Sequence, residues 1–126
     1  MIVLDSDVLI EIFDKHSPSG EGAYNRIKKS GELFCTTVIN LHEVLYGIYK
    51  YGNPTENITG LSVLEYLRED AILSAELELK AEKIGRKIRR ADSMIAAISI
   101  NNKGKLYTFD KDHFKWFVEH GLNLFA

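Results

Sequence analysis

Two aspartates stand directly after apolar runs, at positions from which acids of α/β proteins often bind a ligand. Asp5 follows residues 2–4 and Asp110 follows residues 106–109. Both runs have the composition of short buried strands. Because ligands of parallel sheets bind beyond the carboxyl ends of the strands, we expect the two carboxylates to meet at one end of the molecule.

A third acid, Glu43, lies in a segment of helical periodicity that Thr37 is expected to cap. The apolar stripe of this helix comprises Leu41, Val44, Leu45 and Ile48. Glu43 faces away from that stripe, with Asn40 one turn before it and Gly47 one turn after it. Asn40 can offer an oxygen to a ligand, and Gly47 permits a ligand to approach closely, so this helix face indicates a ligand site. The alternative is that Glu43 lies on a solvent-exposed helix face.

A fourth acid, Asp92, precedes residues 93–100, which are apolar nearly all round and therefore predict a buried helix. Aspartate is a favoured residue at the N-terminal cap of a helix. Capping is accordingly the alternative to a ligand role for Asp92, and for Asp5 as well.

Carboxylates gathered in one cleft need a counter-charge, because like charges a few ångströms apart raise one another's pKa. A divalent cation supplies that charge. The chain has one cysteine, Cys35, and no suitably placed histidine pair, so oxygen-ligated Mg²⁺ or Mn²⁺ is favoured over Zn²⁺. Such ions activate water and neutralise charge on a phosphodiester, so the acids predict metal-dependent phosphodiester hydrolysis.

Alternating strands and helices must position these acids. The predicted strands cover residues 2–4, 33–36, 71–74, 106–109 and 122–125. The predicted helices cover residues 8–13, 22–29, 38–48, 55–68, 75–90, 93–100 and 111–120. Strands that alternate with helices indicate an α/β fold with a mainly parallel sheet.

The composition fits one domain, residues 1–126, with 45% apolar residues and enough length to bury a core. Sixteen basic and 18 acidic residues give a net charge of -2, so nucleic acid must be held by local patches or metal ions rather than by a global positive field. A lone cysteine excludes a disulfide framework and favours a reducing cytoplasm. No apolar run is long enough for a membrane span, and we expect no signal peptide.

The four acids fall in four sequence blocks, which are residues 2–10, 37–47, 91–97 and 108–114. In this order and spacing the blocks resemble the PIN domain, and within it the VapC-like toxins. Each block is a weak signal by itself, but together they cover nearly the whole chain. The resemblance implies a three-layer α/β/α PIN-like fold with a small, mainly parallel central sheet, and the activity of a metal-dependent ribonuclease.

The resemblance also implies a role for individual residues. The four family acids that hold one or two Mg²⁺ or Mn²⁺ ions correspond to Asp5, Glu43, Asp92 and Asp110. The positions that support these ligands correspond to Ser6, Asn40 and Thr108. Extra acids at variable positions, ranked as supporting or surface residues, are Asp7 and Asp112.

Two features depart from the family pattern. The family usually has several loop residues before the third acid, whereas the predicted helix here ends at Arg90, two residues before Asp92. We expect this shortening either to place Arg89 or Arg90 beside the metal site or to lengthen the helix and so alter the roof of the cleft. The second departure is Asn40, which stands where a hydroxyl is more usual.

Partners also follow from the resemblance, because VapC-like proteins usually dimerise and bind an antitoxin whose C-terminal segment enters the cleft. We expect an RNA substrate, a cognate antitoxin and a homodimer. The candidate contacts to RNA phosphates are the basic residues of the predicted helix 75–90, namely Lys83, Arg86, Lys87 and Arg90. A solvated helix face is the alternative. His113 is assigned a structural role, and Tyr46, Tyr49 and Tyr51 are assigned to packing or a dimer surface.

Two other functions remain open. Residues 3–8 also resemble the opening motif of haloacid-dehalogenase-type phosphatases, in which Asp5 would be the nucleophile. Those phosphatases are normally longer than 126 residues. The other alternative is a non-catalytic PIN-like binding module, which the presence of all four acids disfavours.

Overall fold

A five-stranded parallel sheet forms the middle layer of the computed structural model, which describes residues 1–126. The strands are β1 (Ile2–Leu4), β2 (Phe34–Thr37), β3 (Val63–Leu64), β4 (Lys105–Tyr107) and β5 (Asn123–Leu124). Their spatial order is β3-β2-β1-β4-β5, and every neighbouring pair is parallel. The first strand of the chain is therefore the middle strand of the sheet.

Seven α-helices surround the sheet. They are α1 (Ser6–Leu9), α2 (Pro18–Ser30), α3 (Val38–Tyr51), α4 (Glu56–Thr59), α5 (Arg68–Lys83), α6 (Arg90–Asn101) and α7 (Lys111–Val118). A π-helical segment, Ile10–Asp14, continues α1 directly. None of these helices combines the length and the hydropathy that a membrane crossing requires.

Two apolar clusters lie on opposite faces of the sheet and define the three layers. Alternate residues of a strand point to opposite faces, so Ile2 and Leu4 of β1 pack into one cluster and Val3 into the other. The first cluster joins β1 to α1, α2 and α3, and the second joins it to α5, α6 and α7. This arrangement confirms the predicted α/β/α fold, with a sheet that is parallel throughout.

The third predicted strand is wrong, because residues 71–74 lie inside α5. A side-chain oxygen of Asp70 accepts a hydrogen bond from the Leu67 backbone N–H at 2.9 Å, which stabilises the start of a helix ahead of residue 71. The true third strand is the two-residue β3, which falls inside the predicted helix 55–68.

The predicted helix 75–90 is also wrong at its C-terminal end. Helix α5 ends at Lys83, and Gly85 adopts a left-handed conformation with φ of 73°. Glycine reaches this conformation without steric cost, so it terminates the helix. Residues 84–89 therefore form a connection between α5 and α6, and the expected loss of the loop before Asp92 does not occur.

Candidate active site

A cleft of about 360 Å³ opens beyond the carboxyl ends of β1 and β4. Its polar lining consists of Asp5, Ser6, Asp7, Glu43, Arg89, Asp92, Asp110 and His113, and Ile10 and Phe114 complete it. All four acids selected from the sequence thus reach one cleft, where Asp7 joins them. The place is the one that the strand-end rule predicts for a ligand of a parallel sheet.

Asp5 is the most constrained acid of the cleft. It directly follows β1, caps α1, and is only 9% exposed. One oxygen, Oδ1, accepts hydrogen bonds from the Ser6 backbone N–H at 2.9 Å and from Asn40 Nδ2 at 3.0 Å. The other oxygen accepts one from the Thr108 hydroxyl at 2.8 Å. Capping and placement in the cleft are therefore properties of the same carboxylate rather than alternatives.

Asn40 connects helix α3 to the acids. Its side chain is fully buried, and its Oδ1 accepts a hydrogen bond from the Thr37 hydroxyl at 2.7 Å. That bond fixes the amide so that Nδ2 donates toward Asp5 and toward Ser6 Oγ, the latter at 2.9 Å. The Ser6 hydroxyl in turn donates to Glu43 Oε1 at 2.8 Å. The N-terminal cap of α3 and two acids of the cleft thus belong to one hydrogen-bonded chain.

Asp92 is the third residue of α6 rather than its cap, and it is 1% exposed. Arg89 binds it with two nearly parallel hydrogen bonds, from Nε to Oδ2 at 3.0 Å and from Nη2 to Oδ1 at 2.9 Å. His113 Nε2 contacts Asp92 Oδ2 from α7. The third nitrogen of Arg89, Nη1, lies 3.7 Å from Glu43 Oε2. Arg89 therefore bridges two acids of the cleft.

Asp7 and Asp110 complete the acidic lining near the start of α7. Oδ2 of Asp7 accepts a hydrogen bond from the Phe109 backbone N–H at 3.1 Å, whereas its Oδ1 is buried and has no partner. Asp110 caps α7, and its Oδ1 accepts from the His113 backbone N–H at 3.3 Å. Thr108 Oγ1 accepts from the Asp110 backbone N–H at 3.1 Å, which joins this acid to the network around Asp5.

The cleft has an excess of negative charge, since five carboxylates face one arginine and one histidine. Burial, together with repulsion from Asp7, raises the pKa of Asp5 to about 6. Burial also raises the pKa of Asp7. The hydrogen bonds from Arg89 to Asp92 raise the pKa of the guanidinium. The site therefore favours an additional positive charge.

A hard divalent cation fits the chemistry of these donors. The five carboxylates of the cleft offer oxygen atoms, which hard divalent cations prefer as ligands. One of these atoms, Oδ1 of Asp7, is buried without the hydrogen-bond partner that a buried oxygen needs. In the present side-chain arrangement, however, no three acidic, histidine or cysteine side chains are grouped closely enough to hold an ion. The donors fit Mg²⁺ or Mn²⁺, but they are not gathered around one point.

Some residues selected from the sequence lie outside the cleft. Asp112, ranked as a supporting acid, is exposed in the first turn of α7 and does not line the cleft, so the structure gives it no supporting contact. Arg86, Lys87 and Arg90 line a separate depression of about 730 Å³, and Arg90 is paired there with Glu78 at 3.0 Å. Lys83 lines a third depression beside Trp116.

Two residues of the cleft make contacts that their sequence positions did not predict. His113 was assigned a structural role, yet it lines the cleft and contacts Asp92. Its position three residues after Asp110, in the first turn of a helix that starts at the cleft, was the available signal. Asp7, expected to be a supporting or surface acid, is half-buried, and only the fold shows that its Oδ1 is buried.

Fold and site together define an α/β protein with an acidic cleft at the carboxyl edge of a parallel sheet. A family model described as the PIN domain matches residues 2–116. The chain therefore belongs to the PIN domain family. A search of curated proteins found no match.

Solved structures with the same fold agree with this assignment. DNA-bound VapBC from Salmonella typhimurium is similar with a TM-score of 0.80 and 23% identity, covering 98% of this chain and 96% of that chain. VapBC2 from Rickettsia felis, bound to a DNA fragment from its promoter, gives a TM-score of 0.78 and 22% identity, with 99% and 98% covered. A toxin-antitoxin complex from Klebsiella pneumoniae gives 0.71 and 19%, with 90% of each chain covered.

Proposed function

We propose that this PIN domain is a metal-dependent endoribonuclease that hydrolyses RNA phosphodiester bonds with Mg²⁺ or Mn²⁺, and that it is the toxin of a toxin-antitoxin pair. The observation that carries the proposal is the convergence of Asp5, Glu43, Asp92 and Asp110 on one cleft, from four separate parts of the chain. Side chains so distant in sequence meet only because the fold brings the ends of β1 and β4 and the first turns of α6 and α7 together.

In this proposal, Asp5, Glu43, Asp92 and Asp110 hold the cation. When bound, a hard divalent ion lowers the pKa of a coordinated water and neutralises charge on the phosphodiester in the transition state. The chain contributes the positions of the ligands. Asn40 and Thr108 hold the Asp5 carboxylate from two sides, and Ser6 holds one oxygen of Glu43. Such hydrogen bonds fix ligand orientation before the substrate arrives.

The connection between α5 and α6 is proposed to guide the RNA strand. Arg86 and Lys87 are exposed there, and they lie within three residues of Arg89 in the cleft. Three residues span at most about 11 Å, so a nucleic acid held by these cations can reach the acids. Lys83 and Arg90 are candidate outer contacts, although Arg90 is already paired with Glu78.

The proposed partners are an antitoxin and a second copy of this chain. The antitoxin is supported by the similar structures, which include VapBC and a toxin-antitoxin complex. A homodimer is supported by Tyr46, Tyr49 and Tyr51 of α3, whose side chains are exposed rather than packed in the core. Exposed aromatic side chains on one helix are typical of a contact surface.

A cleavage assay with structured RNA tests the activity. The purified chain should cut RNA when Mn²⁺ or Mg²⁺ is present and should be inactive in EDTA. Asp92→Asn should abolish cleavage while the circular dichroism spectrum stays that of the wild type, because the substitution removes a ligand charge and keeps the side-chain volume. Glu56→Gln, at an exposed residue of α4 that lines neither the cleft nor the depression of Arg86 and Lys87, is the control and should cut normally. Cleavage in EDTA, or by Asp92→Asn at the wild-type rate, would contradict the proposal.

The same preparations separate the two alternatives. A haloacid-dehalogenase-type phosphatase would release phosphate from small esters and form an acyl phosphate on Asp5, and the match to the PIN family over residues 2–116 disfavours it. A non-catalytic module would bind its partner and cleave neither substrate. The convergence of all four acids on one cleft disfavours that reading.

A further inference from the structure

Arg89 occupies the place where a cation would neutralise the cleft. Its guanidinium donates to both oxygens of Asp92 and lies 3.7 Å from Glu43 Oε2. It also stabilises the ionised form of Asp5 from a greater distance, since the two charges attract each other. Among the side chains that line the cleft it is the only lysine or arginine.

On both Asp92 and Glu43, Arg89 is the only partner of one carboxylate oxygen, and another residue contacts the other oxygen. Oδ1 of Asp92 has Arg89 as its single partner, whereas Oδ2 is also contacted by His113. Oε2 of Glu43 faces only Arg89, whereas Oε1 accepts from the Ser6 hydroxyl. Removal of the guanidinium would therefore free one oxygen on each acid while both acids stay held by the other oxygen.

Arg89 is also placed so that it can leave. Its side chain is 63% exposed, so the guanidinium regains water when it swings out. The residue precedes the first turn of α6, where it forms the end of the 84–89 connection rather than a helix interior. The Arg89 side chain makes no capping hydrogen bond to the backbone of α6, so its movement leaves the hydrogen bonds of the helix intact.

We infer that Arg89 is the resident counter-ion of the acidic cleft and that a divalent cation displaces it from Asp92 and Glu43. The inference rests on the proposed metal-dependent function. Asp92 and Glu43 each present to the guanidinium an oxygen that a bound cation would also need. Metal binding to this chain is thus a competition between two cations for the same carboxylates.

Arg90 provides a matched control, since it is the neighbouring residue and also binds a carboxylate, but it pairs with Glu78 outside the cleft. In calorimetric titration with Mn²⁺, the dissociation constant of Arg89→Gln should be lower than that of the wild type by about fivefold or more. The reason is that a charge-assisted contact to the carboxylates no longer opposes the metal. Arg90→Gln should bind Mn²⁺ with the affinity of the wild type. Without metal, Arg89→Gln should unfold at a lower temperature than the wild type, and saturating Mn²⁺ should reduce that difference.

A titration of the wild-type protein decides the matter even if Arg89→Gln does not fold. In ¹H–¹⁵N spectra of the arginine Nε–H groups, diamagnetic Mg²⁺ should move the Arg89 signal toward the position of a free guanidinium. The Arg90 signal should stay in place, because Glu78 remains its partner.

Three outcomes would overturn the inference. Unchanged or weaker Mn²⁺ affinity in Arg89→Gln would leave the proposed metal-dependent function standing and would remove the competition. An Arg89 signal that is unmoved at saturating Mg²⁺ would do the same. An absence of Mn²⁺ binding in all three proteins would overturn both the competition and the proposed function.

Discussion

At the scale of the residue, Asp5 combines two demands that oppose each other. The cleft needs its negative charge for a ligand, but burial and the neighbouring Asp7 make that charge costly in the folded state. The hydrogen bonds from Asn40, Thr108 and the Ser6 backbone offset only part of this cost, since the pKa stays raised at about 6. Stability and function should therefore separate when the charge is removed.

We expect Asp5→Asn to stabilise the metal-free protein at neutral pH and not at acidic pH. The folded-state pKa of about 6 lies above the ordinary value of 3.8 for aspartate, so the folded state binds the proton more tightly than the unfolded state does. The wild type therefore loses stability as pH rises from about 4 through 6, by on the order of 3 kcal/mol at most for this group. Asparagine has no charge to titrate, so the variant lacks this loss.

Urea unfolding in EDTA at several pH values between 4 and 8 measures this difference. The free energy of unfolding of Asp5→Asn, minus that of the wild type, should grow as pH rises. Glu78→Gln is the control, because Glu78 lies outside the cleft. Parallel pH profiles for Asp5→Asn and the wild type would show that the ionised carboxylate is not destabilising.

At the scale of the element, the close approach of α2 to the π-helical segment holds the layer that carries Asp7 and Ile10. Gly20 makes this approach possible, since a Cβ atom there would lie 2.0 Å from the backbone oxygen of Glu11. Contacts shorter than about 3 Å between such atoms are strongly repulsive, and two backbones cannot yield as a flexible side chain can. Gly22, in the same helix, has no atom within 4 Å of its Cβ position.

These two glycines predict opposite effects of the same substitution. Gly20→Ala should destabilise the protein by about 2 kcal/mol or more, because α2 must move away from the π-helical segment. Gly22→Ala should stabilise it by roughly 0.5–1 kcal/mol, because alanine loses less conformational entropy than glycine in a helix. Thermal unfolding of both variants provides the test. An equal effect of the two substitutions would mean that the close approach does not constrain the fold.

The elements also show where sequence patterns predict structure. The sequence predicts four of the five strands and one helix cap to within about two residues, namely β1, β2, β4, β5 and the Thr37 cap. Each of these has a local sequence signal, such as an apolar run, flanking turn residues or a capping side chain. Residues 71–74 are as apolar as a strand, but they lie in a helix. The Asp70 side chain stabilises the start of that helix, and its buried face continues through Leu77. A short apolar run does not distinguish the two structures.

The candidate site was predictable to a similar extent. The strand-end positions of Asp5 and Asp110 indicated a common cleft before the fold was known, and the resemblance to the PIN domain added Glu43 and Asp92, which lie in helices. The partners of those acids were not predictable, because the contacts of His113 and Arg89 with Asp92 depend on side-chain directions set by α6 and α7. The spacing before Asp92 allows either Arg89 or Arg90 beside the site, and only the geometry of the 84–89 connection distinguishes the two.

At the scale of the whole molecule, charge limits how RNA can be held. The chain carries 16 basic and 18 acidic residues, so its overall field does not attract a polyanion. Affinity must come from cations that are not already neutralised by a carboxylate. Arg86 and Lys87 meet this condition, since neither belongs to an ion pair, whereas Arg90 is paired with Glu78.

We therefore expect Lys87→Ala to weaken RNA binding and to reduce its dependence on salt. Each phosphate contact to a single strand contributes about 0.7 to the slope of log affinity against log salt concentration, so the slope should fall by roughly that amount. Fluorescence anisotropy with labelled RNA in Mg²⁺, in the Asp92→Asn background that should not cleave, measures the slope. Lys29→Ala is the matched control, because Lys29 is exposed on α2, which packs on the opposite face of the sheet from α5 and α6. If Lys29→Ala lowers the slope as much as Lys87→Ala does, the RNA contacts are diffuse, and the connection between α5 and α6 does not guide the strand.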